Sequence, residues 1–149
     1  MAMSSEDRAV LFACTLNAVR SPMAAAMLRH LTRGRLYIES AGVKAGDLDP
    51  LAVEAMAEIG LEIGKHKPRR FEDLEDGSFD LVITLSPEAQ HKAMELTRTA
   101  DTKVEYWPTM DPTAVEGSRE QRLMAYRTVR DQLLQRLKRR FLAQAAADT

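Results

Sequence analysis

The chain has 149 residues, 21 of them basic and 22 acidic, and its formal net charge is −1. This balance gives no global field that would attract a nucleic acid or an anionic membrane, and we expect neither as a partner. A single cysteine excludes an intrachain disulfide framework and fits a reducing compartment. Residues 1–8 lack the apolar core of a signal peptide and no run approaches transmembrane length, which predicts a cytoplasmic protein.

Short apolar strands alternate with amphipathic helices along the chain, and no linker divides it. We therefore expect a flexible start at residues 1–8 and one domain over residues 9–149. The predicted strands cover residues 9–13, a segment from Leu36 that ends at Gly42, residues 79–85 and residues 103–106. The predicted helices cover residues 22–31, residues 51–59 closed by Gly60, the segment opened by Ser86-Pro87-Glu88, and a long C-terminal segment after a Ser118–Gln121 capping box. Such alternation is typical of a parallel sheet with helices on both faces.

Cys14 directly follows the first predicted strand and lies six residues before Arg20. A thiol has a free pKa of about 8.5, and its thiolate is favoured where loop N–H groups, a helix N-terminus and a guanidinium converge. Ser21 is predicted to cap the next helix, with Pro22 in its first turn. Arg20 can grip two oxygens of a tetrahedral oxyanion. A buried structural cysteine beside a solvated arginine is the commoner arrangement in general, but the strand-to-helix context favours an oxyanion site with a nucleophilic sulfur.

These residues resemble the low-molecular-weight protein tyrosine phosphatases and the arsenate reductases that share their fold. The matching positions are Cys14, Asn17, Arg20, Ser21 and Pro22 in the phosphate loop, Ser40-Ala41-Gly42 after the second strand, and Asp111-Pro112 at the general acid. The resemblance covers nearly the whole chain. It implies an α/β fold, namely a single-domain, open, parallel four-stranded sheet in the order 2-1-3-4 with helices on both faces.

The resemblance also implies a role for each matched residue. Cys14 would attack phosphorus, Arg20 and the loop residues Thr15, Leu16, Asn17, Ala18 and Val19 would hold the phosphate, Asp111 would act as general acid and base, and Ser21 would hydrogen-bond the sulfur. Asn17 would support the loop through a buried polar network with Ser40 and His66, and asparagine also tolerates left-handed backbone. We expect no cofactor and no metal, because one cysteine and three scattered histidines lack ligand spacing. The other two histidines, His30 and His91, are expected on helix surfaces.

Several positions depart from the family pattern. Leu16 stands where many members have glycine, and Val19 stands where many have a second cysteine. The family's tyrosine phosphatases have aromatic residues directly after this Asp-Pro, whereas this chain has Thr113-Ala114 there and no aromatic residue near Gly46. A phosphotyrosine ring would lose stacking surfaces worth about 1 kcal/mol each, which disfavours phosphotyrosine as the substrate. Trp107 and Tyr106 are expected to pack in the core or at a hinge instead of lining the cleft.

The sequence thus predicts a metal-independent cysteine phosphatase that hydrolyses a phosphate monoester, on a phosphotyrosine-type protein or a small aryl phosphate, through phosphocysteine. The alternative within the fold is an arsenate reductase that uses an external thiol, because Cys14 has no second cysteine in the chain. A further alternative is a non-enzymatic phosphate-binding module, against which the joint presence of Cys14 and Asp111 argues. The basic stretch of Arg136 and residues 138–140 is interpreted as a solvated helix end. The oligomeric state and the physiological substrate stay open.

Overall fold

A computed structural model describes residues 8–75, 77–98 and 101–142. The expected flexible start at residues 1–8 therefore lies, except for Arg8, outside the described residues. The strands are β1 (Ala9–Cys14), β2 (Tyr37–Gly42), β3 (Leu81–Thr84) and β4 (Lys103–Tyr106), and the α-helices are α1 (Arg20–Thr32), α2 (Pro50–Ala57), α3 (Pro87–Leu96) and α4 (Arg119–Leu137). Short 3₁₀ turns cover Phe71–Asp73 and Pro112–Ala114, and a π-helical turn, Lys138–Leu142, extends α4.

The four strands form one parallel sheet in the order β2-β1-β3-β4. Strand β1 is central, and its buried residues alternate between the two faces. Val10, Phe12 and Cys14 pack into the core beneath α1, α2 and α4, whereas Leu11 and Ala13 pack with residues of α3 on the other face. Helices thus cover both faces, and the predicted α/β fold with strand order 2-1-3-4 is confirmed.

The last helix contributes an apolar stripe to the larger core. Residues Leu123, Tyr126, Val129, Leu133 and Leu137 recur at helical spacing along α4, and all are buried. Burying such side chains stabilises the fold by about 1.5–3 kcal/mol each. The alternating side chains of β1 and the apolar stripe of α4 hold the sheet in place. The candidate site lies at the C-terminal ends of its strands.

Local signals set most element boundaries. The Ser118–Gln121 capping box forms as predicted, and the Ser86 hydroxyl accepts a hydrogen bond from the Ala89 N–H at the start of α3. Gly60 follows α2 with a φ of +80°, as a left-handed helix cap requires. Helix α2 ends at Ala57 instead of Ile59, because the chain turns toward that glycine.

Two further predictions differ from the structure. Strand β3 begins at Leu81 instead of Phe79, whose carbonyl accepts the Thr102 hydroxyl and not a strand partner. The basic end of α4 is not wholly solvated: the Arg136 guanidinium lies 4.7 Å from the centre of the Trp107 ring, and Arg140 pairs with Glu105. Its charges therefore hold β4 and the chain after it against α4. Among the described residues, no helix is long and apolar enough to cross a membrane.

Candidate active site

Cys14 lies at the carboxyl end of β1 and is 2% exposed. Its Sγ atom is 2.9 Å from the Oγ atom of Ser21, in the first turn of α1. Ser21 is not the helix cap that the sequence predicts, because α1 already begins at Arg20 and Val19 occupies the capping position without a side-chain bond. Its hydroxyl is turned inward to the sulfur instead.

The loop between β1 and α1 carries unused hydrogen-bond donors. Within the described part of the chain, the backbone N–H groups of residues 15–20 donate no hydrogen bond to a protein atom, although residues 17–20 are buried. Buried N–H groups rarely go unpaired, because leaving them so costs free energy. A row of such donors in front of a cysteine forms a cradle suited to an oxyanion.

Asn17 holds this loop in its shape. Its backbone is left-handed, with a φ of 55°, as its residue type allows. The side-chain Nδ2 donates to the Ser21 and Ser40 hydroxyls at 2.8 and 3.0 Å, and Oδ1 accepts from the Arg69 N–H at 3.0 Å. Because Asn17 donates to the Ser21 oxygen, the Ser21 hydroxyl acts as a donor, and the Cys14 sulfur at 2.9 Å is a nearer acceptor than the Ala41 carbonyl at 3.5 Å.

His66 completes the network that the resemblance implies. Its Nε2 atom lies 3.0 Å from Asn17 Oδ1 and 3.3 Å from the Asn17 carbonyl oxygen. Burial lowers the pKa of His66 below its usual range, and the nearby Arg69 lowers it further, although the bond to Asn17 acts in the opposite direction. A neutral His66 donates its Nε2–H to Asn17 and fixes the Asn17 side chain. His30 and His91 lie on exposed helix surfaces, as expected.

Gly42 backs the loop at the end of β2. A Cβ atom at this position would lie 2.5 Å from the Lys44 carbonyl oxygen, 2.8 Å from the Asn17 nitrogen and 2.9 Å from the Leu16 carbonyl carbon. All three are backbone atoms, so no side-chain rearrangement could relieve the clash. Only glycine lets β2 approach the phosphate loop this closely.

Arg20 links the loop to the segment that follows β4. Its Nη1 atom donates to the Thr109 carbonyl at 2.9 Å and lies 3.5 Å from that of Leu85, and the residue is only 8% exposed. Its Nη2 atom lies 3.9 Å from Asp111 Oδ2. The two carbonyls position the guanidinium before any ligand binds, which reduces the entropy lost on binding.

Asp111 stands on that segment with one oxygen engaged. Its Oδ1 atom accepts from the Thr113 backbone N–H at 3.0 Å and from the Thr113 hydroxyl at 2.7 Å. Pro112, which is buried, begins the short 3₁₀ turn and stiffens it. The Oδ2 atom is left facing Arg20 on an exposed side chain, where it can exchange a proton with a bound group.

One cavity of about 620 Å³ joins these groups. Its lining residues are Cys14, Thr15, Leu16, Ala18, Val19, Arg20, Asp47, Asp49, Ser86, Pro87, Glu88, Asp111 and Thr113. None of these lining residues, all in the described part of the chain, is aromatic. Trp107 is buried in the larger core as expected, and Tyr106 is half-exposed and does not line the cavity. The structure thus gathers Cys14, the loop, Arg20 and Asp111 around one space.

The family model described as low molecular weight phosphotyrosine protein phosphatase matches residues 9–148. The chain belongs to this family. Arsenate reductase from Shouchella clausii (strain KSM-K16) is 37% identical over 131 residues, which cover 87% of this chain and 92% of that protein. A solved arsenate reductase in the phosphate binding state has a TM-score of 0.70 at 26% identity, covering 93% of this chain and 98% of the other. Tyrosine phosphatase Wzb from Escherichia coli K30, in complex with sulphate, is similar in fold, with a TM-score of 0.72 at 22% identity over 95% and 99% of the two chains.

In this member of the phosphatase family, Asp49 and Tyr126 also brace the phosphate loop. Sequence reasoning missed both residues. The Asp49 N–H donates to the Ala18 carbonyl at 3.3 Å, and its carboxylate accepts from the Leu51 N–H and the Tyr126 hydroxyl. Burial and the bond to Asp49 raise the pKa of Tyr126, which keeps its hydroxyl a donor. An Asp before a Pro at a helix start signals a cap, but nothing in the sequence links Asp49 to Tyr126 on α4.

Proposed function

We propose that the chain is a metal-independent cysteine phosphatase that hydrolyses a phosphate monoester through a phosphocysteine intermediate. The observation that carries this proposal is the placement of Cys14 beneath a loop of unused N–H donors, with Asp111 on the same cavity. A nucleophile, an oxyanion cradle and a proton donor are the groups that this reaction needs. A module that only bound phosphate would need neither the nucleophile nor the proton donor.

In the first step the Cys14 thiolate attacks phosphorus in line with the leaving oxygen. The P–S bond forms as the P–O bond breaks, and the leaving oxygen takes a proton from Asp111 Oδ2. The loop N–H groups and Arg20 stabilise the charge that spreads over the three equatorial oxygens. The carbonyls of Thr109 and Leu85 hold the guanidinium in place during the reaction.

In the second step the Asp111 carboxylate takes a proton from a water molecule. The water oxygen attacks phosphorus, the P–S bond breaks, and the sulfur leaves as a thiolate. The Ser21 hydroxyl, 2.9 Å from the sulfur, donates to this developing anion and makes it a better leaving group. Ser21 therefore serves the second step more than the first.

A second candidate is arsenate reduction, which the name of the Shouchella clausii relative favours. There the Cys14 thiolate would displace one oxygen of arsenate, which leaves as water, to form a sulfur–arsenic(V) adduct, and the thiolate of an external partner would attack the Cys14 sulfur. Arsenite would leave with two electrons, and a mixed disulfide would remain for a second thiol to reduce. The external thiol is essential in this scheme, because the chain has one cysteine.

As substrate we propose a phosphorylated protein or a small phosphoester, acted on in the cytoplasm, where thiols stay reduced. The absence of aromatic side chains from the cavity lining supports a substrate that does not depend on ring stacking.

The test is a parallel assay of p-nitrophenyl phosphate hydrolysis, with a chelator present, and of arsenate-dependent oxidation of added small thiols and thioredoxin-type partners. We expect wild type to hydrolyse the ester and Cys14→Ser to lose that activity while still binding phosphate, seen as a rise in unfolding temperature. Retained hydrolysis in Cys14→Ser would refute the covalent mechanism. Thiol oxidation without hydrolysis would assign the chain to arsenate reduction, and silence of both assays with intact phosphate binding would indicate a binding module.

A further inference from the structure

The cavity above Cys14 carries more negative than positive side chains. Its lining includes four carboxylates, on Asp47, Asp49, Glu88 and Asp111, and one guanidinium, on Arg20. This is unexpected for a cleft whose floor is built for a dianion, because carboxylates near a phosphate raise the cost of binding it. Phosphate binding therefore does not explain the excess of negative charge in the cavity.

Two of the four carboxylates are already occupied. Asp49 accepts from Leu51 and Tyr126, and Asp111 accepts from Thr113 and faces Arg20. Both hold or serve the phosphate loop, so their charge is explained by the site already described.

The other two carboxylates face the cavity without a cationic partner. The exposed side chain of Asp47 makes no hydrogen bond or ion pair within the described ranges, and that of Glu88 lies 3.2 Å from the Thr15 hydroxyl and pairs with no cation there. The negative charge of Glu88 is also favourable at the N-terminus of α3, but the charge of Asp47 has no such local benefit. Asp47 lies in the chain between β2 and α2, and Glu88 lies in the first turn of α3.

Leu16 gives the mouth of the cavity its apolar surface. Its side chain is 45% exposed, and its Cβ lies 3.1 Å from where a Cβ at Gly46 would stand. A lysine or arginine can lay its aliphatic stem on such a surface while its charged end reaches a carboxylate. Leu16, Asp47 and Glu88 together therefore suit a long cationic side chain better than an aromatic ring.

We propose that this cleft selects phosphorylated protein segments with lysine or arginine next to the phosphorylated residue, and that Asp47 and Glu88 read that positive charge. The inference rests on the proposed phosphatase function and adds its substrate class. Exposed ion pairs are individually weak, and replacing an attractive flank with a repulsive one changes kcat/KM by about tenfold in low salt. Ionic strength should reduce this preference, since exposed charges are screened.

The experiment uses three nine-residue peptides with one central phosphotyrosine, chosen as a reactive aryl ester, and flanks of Lys, Gln or Glu. Phosphate release gives kcat/KM for each, in low and high salt, with p-nitrophenyl phosphate as reference. We expect the Lys-flanked peptide to exceed the Glu-flanked one by about tenfold in low salt, and the double variant Asp47→Asn, Glu88→Gln to reduce that ratio to about twofold. Glu95→Gln, on the same helix as Glu88 but outside the cavity lining, is the matched control and should keep the wild-type ratio.

Equal kcat/KM for the three peptides, or a ratio that the double variant leaves intact, would overturn the inference while the phosphatase proposal stands. Hydrolysis of p-nitrophenyl phosphate alone, with every peptide refused, would overturn it as well. Failure of wild type to hydrolyse any phosphate ester would remove both proposals together.

Discussion

The Nη2 atom of Arg20 lies 3.9 Å from the Oδ2 atom of Asp111, although the two residues are far apart in sequence. The same guanidinium donates through Nη1 to the Thr109 carbonyl, two residues before Asp111. The phosphate loop and the segment that carries the acid are therefore joined by one side chain. This contact sets the distance between the guanidinium proposed to bind the phosphate oxygens and the carboxylate proposed to move the proton.

Arg20→Lys should impair both binding and turnover. A lysine cannot bond the Thr109 and Leu85 carbonyls and also fork onto two phosphate oxygens. We expect kcat/KM for p-nitrophenyl phosphate to fall by about 10²–10³-fold, the range for loss of one preorganised oxyanion donor. The exposed Arg35 provides the matched control, because Arg35→Lys should keep wild-type kinetics. An active Arg20→Lys variant would show that the loop N–H groups suffice.

Asp111→Asn should affect esters according to their leaving groups. The asparagine oxygen can still accept from Thr113, so the turn is preserved while the transferable proton is lost. We expect esters with poor leaving groups to slow by about 10²–10⁴-fold and activated aryl esters to slow far less. The check is a plot of log kcat/KM against leaving-group pKa for a series of aryl and alkyl phosphates. Parallel lines for variant and wild type would assign the proton donor elsewhere.

Gly42→Ala should displace the phosphate loop. The added Cβ meets backbone atoms of Lys44, Asn17 and Leu16 at 2.5–2.9 Å, so the loop itself must shift. We expect destabilisation of about 1–3 kcal/mol from overpacking and about a 10²-fold loss of kcat/KM from misplaced donors. Urea unfolding and p-nitrophenyl phosphate kinetics measure the two effects. Gly77→Ala, whose Cβ would meet no atom within 4 Å, should change neither.

The His66 network should make stability depend on pH. Burial lowers the pKa of His66 in the folded state below its unfolded value of 6.5, so the unfolded chain takes up the proton first as pH falls. Stability is therefore full above pH 6.5 and declines as pH falls through 6.5 toward the folded-state pKa. Urea midpoints between pH 7.5 and 5 should fall for wild type and stay flatter for His66→Gln. Identical slopes in the two proteins would remove His66 as the cause.

Much of this site follows from contiguous sequence. The strand, loop and helix that bear Cys14 and Arg20 are local, and the left-handed backbone of Asn17 follows from its residue type. Ser21 was wrongly predicted as a helix cap, because its neighbours in sequence do not reveal that its hydroxyl accepts from Asn17 and lies against the Cys14 sulfur. At this buried position the Ser21 hydroxyl bonds to surrounding side chains and does not cap the local backbone.

Sequence reasoning does not identify hydrogen-bond partners that lie far apart in the chain. The bond from Arg20 to the Thr109 carbonyl and the bond from Tyr126 to Asp49 each join segments whose spacing carries no signal. A carbonyl acceptor leaves no trace in residue type at all, since every residue has one. The need for glycine at position 42 is likewise visible only once Leu16 and Asn17 are seen against β2.

The residues at the floor of the cavity are held by more hydrogen bonds than the residues at its mouth. Arg20 and Asn17 are buried and bonded to several segments, whereas Leu16, Asp47 and Glu88 at the mouth are exposed and make few side-chain bonds within the described residues. Substitutions at exposed, weakly bonded positions usually change the free energy of unfolding by less than about 0.5 kcal/mol. Residues at the mouth can therefore change at little cost in stability while those at the floor stay constant, and one scaffold can acquire new substrate preferences without passing through unstable forms.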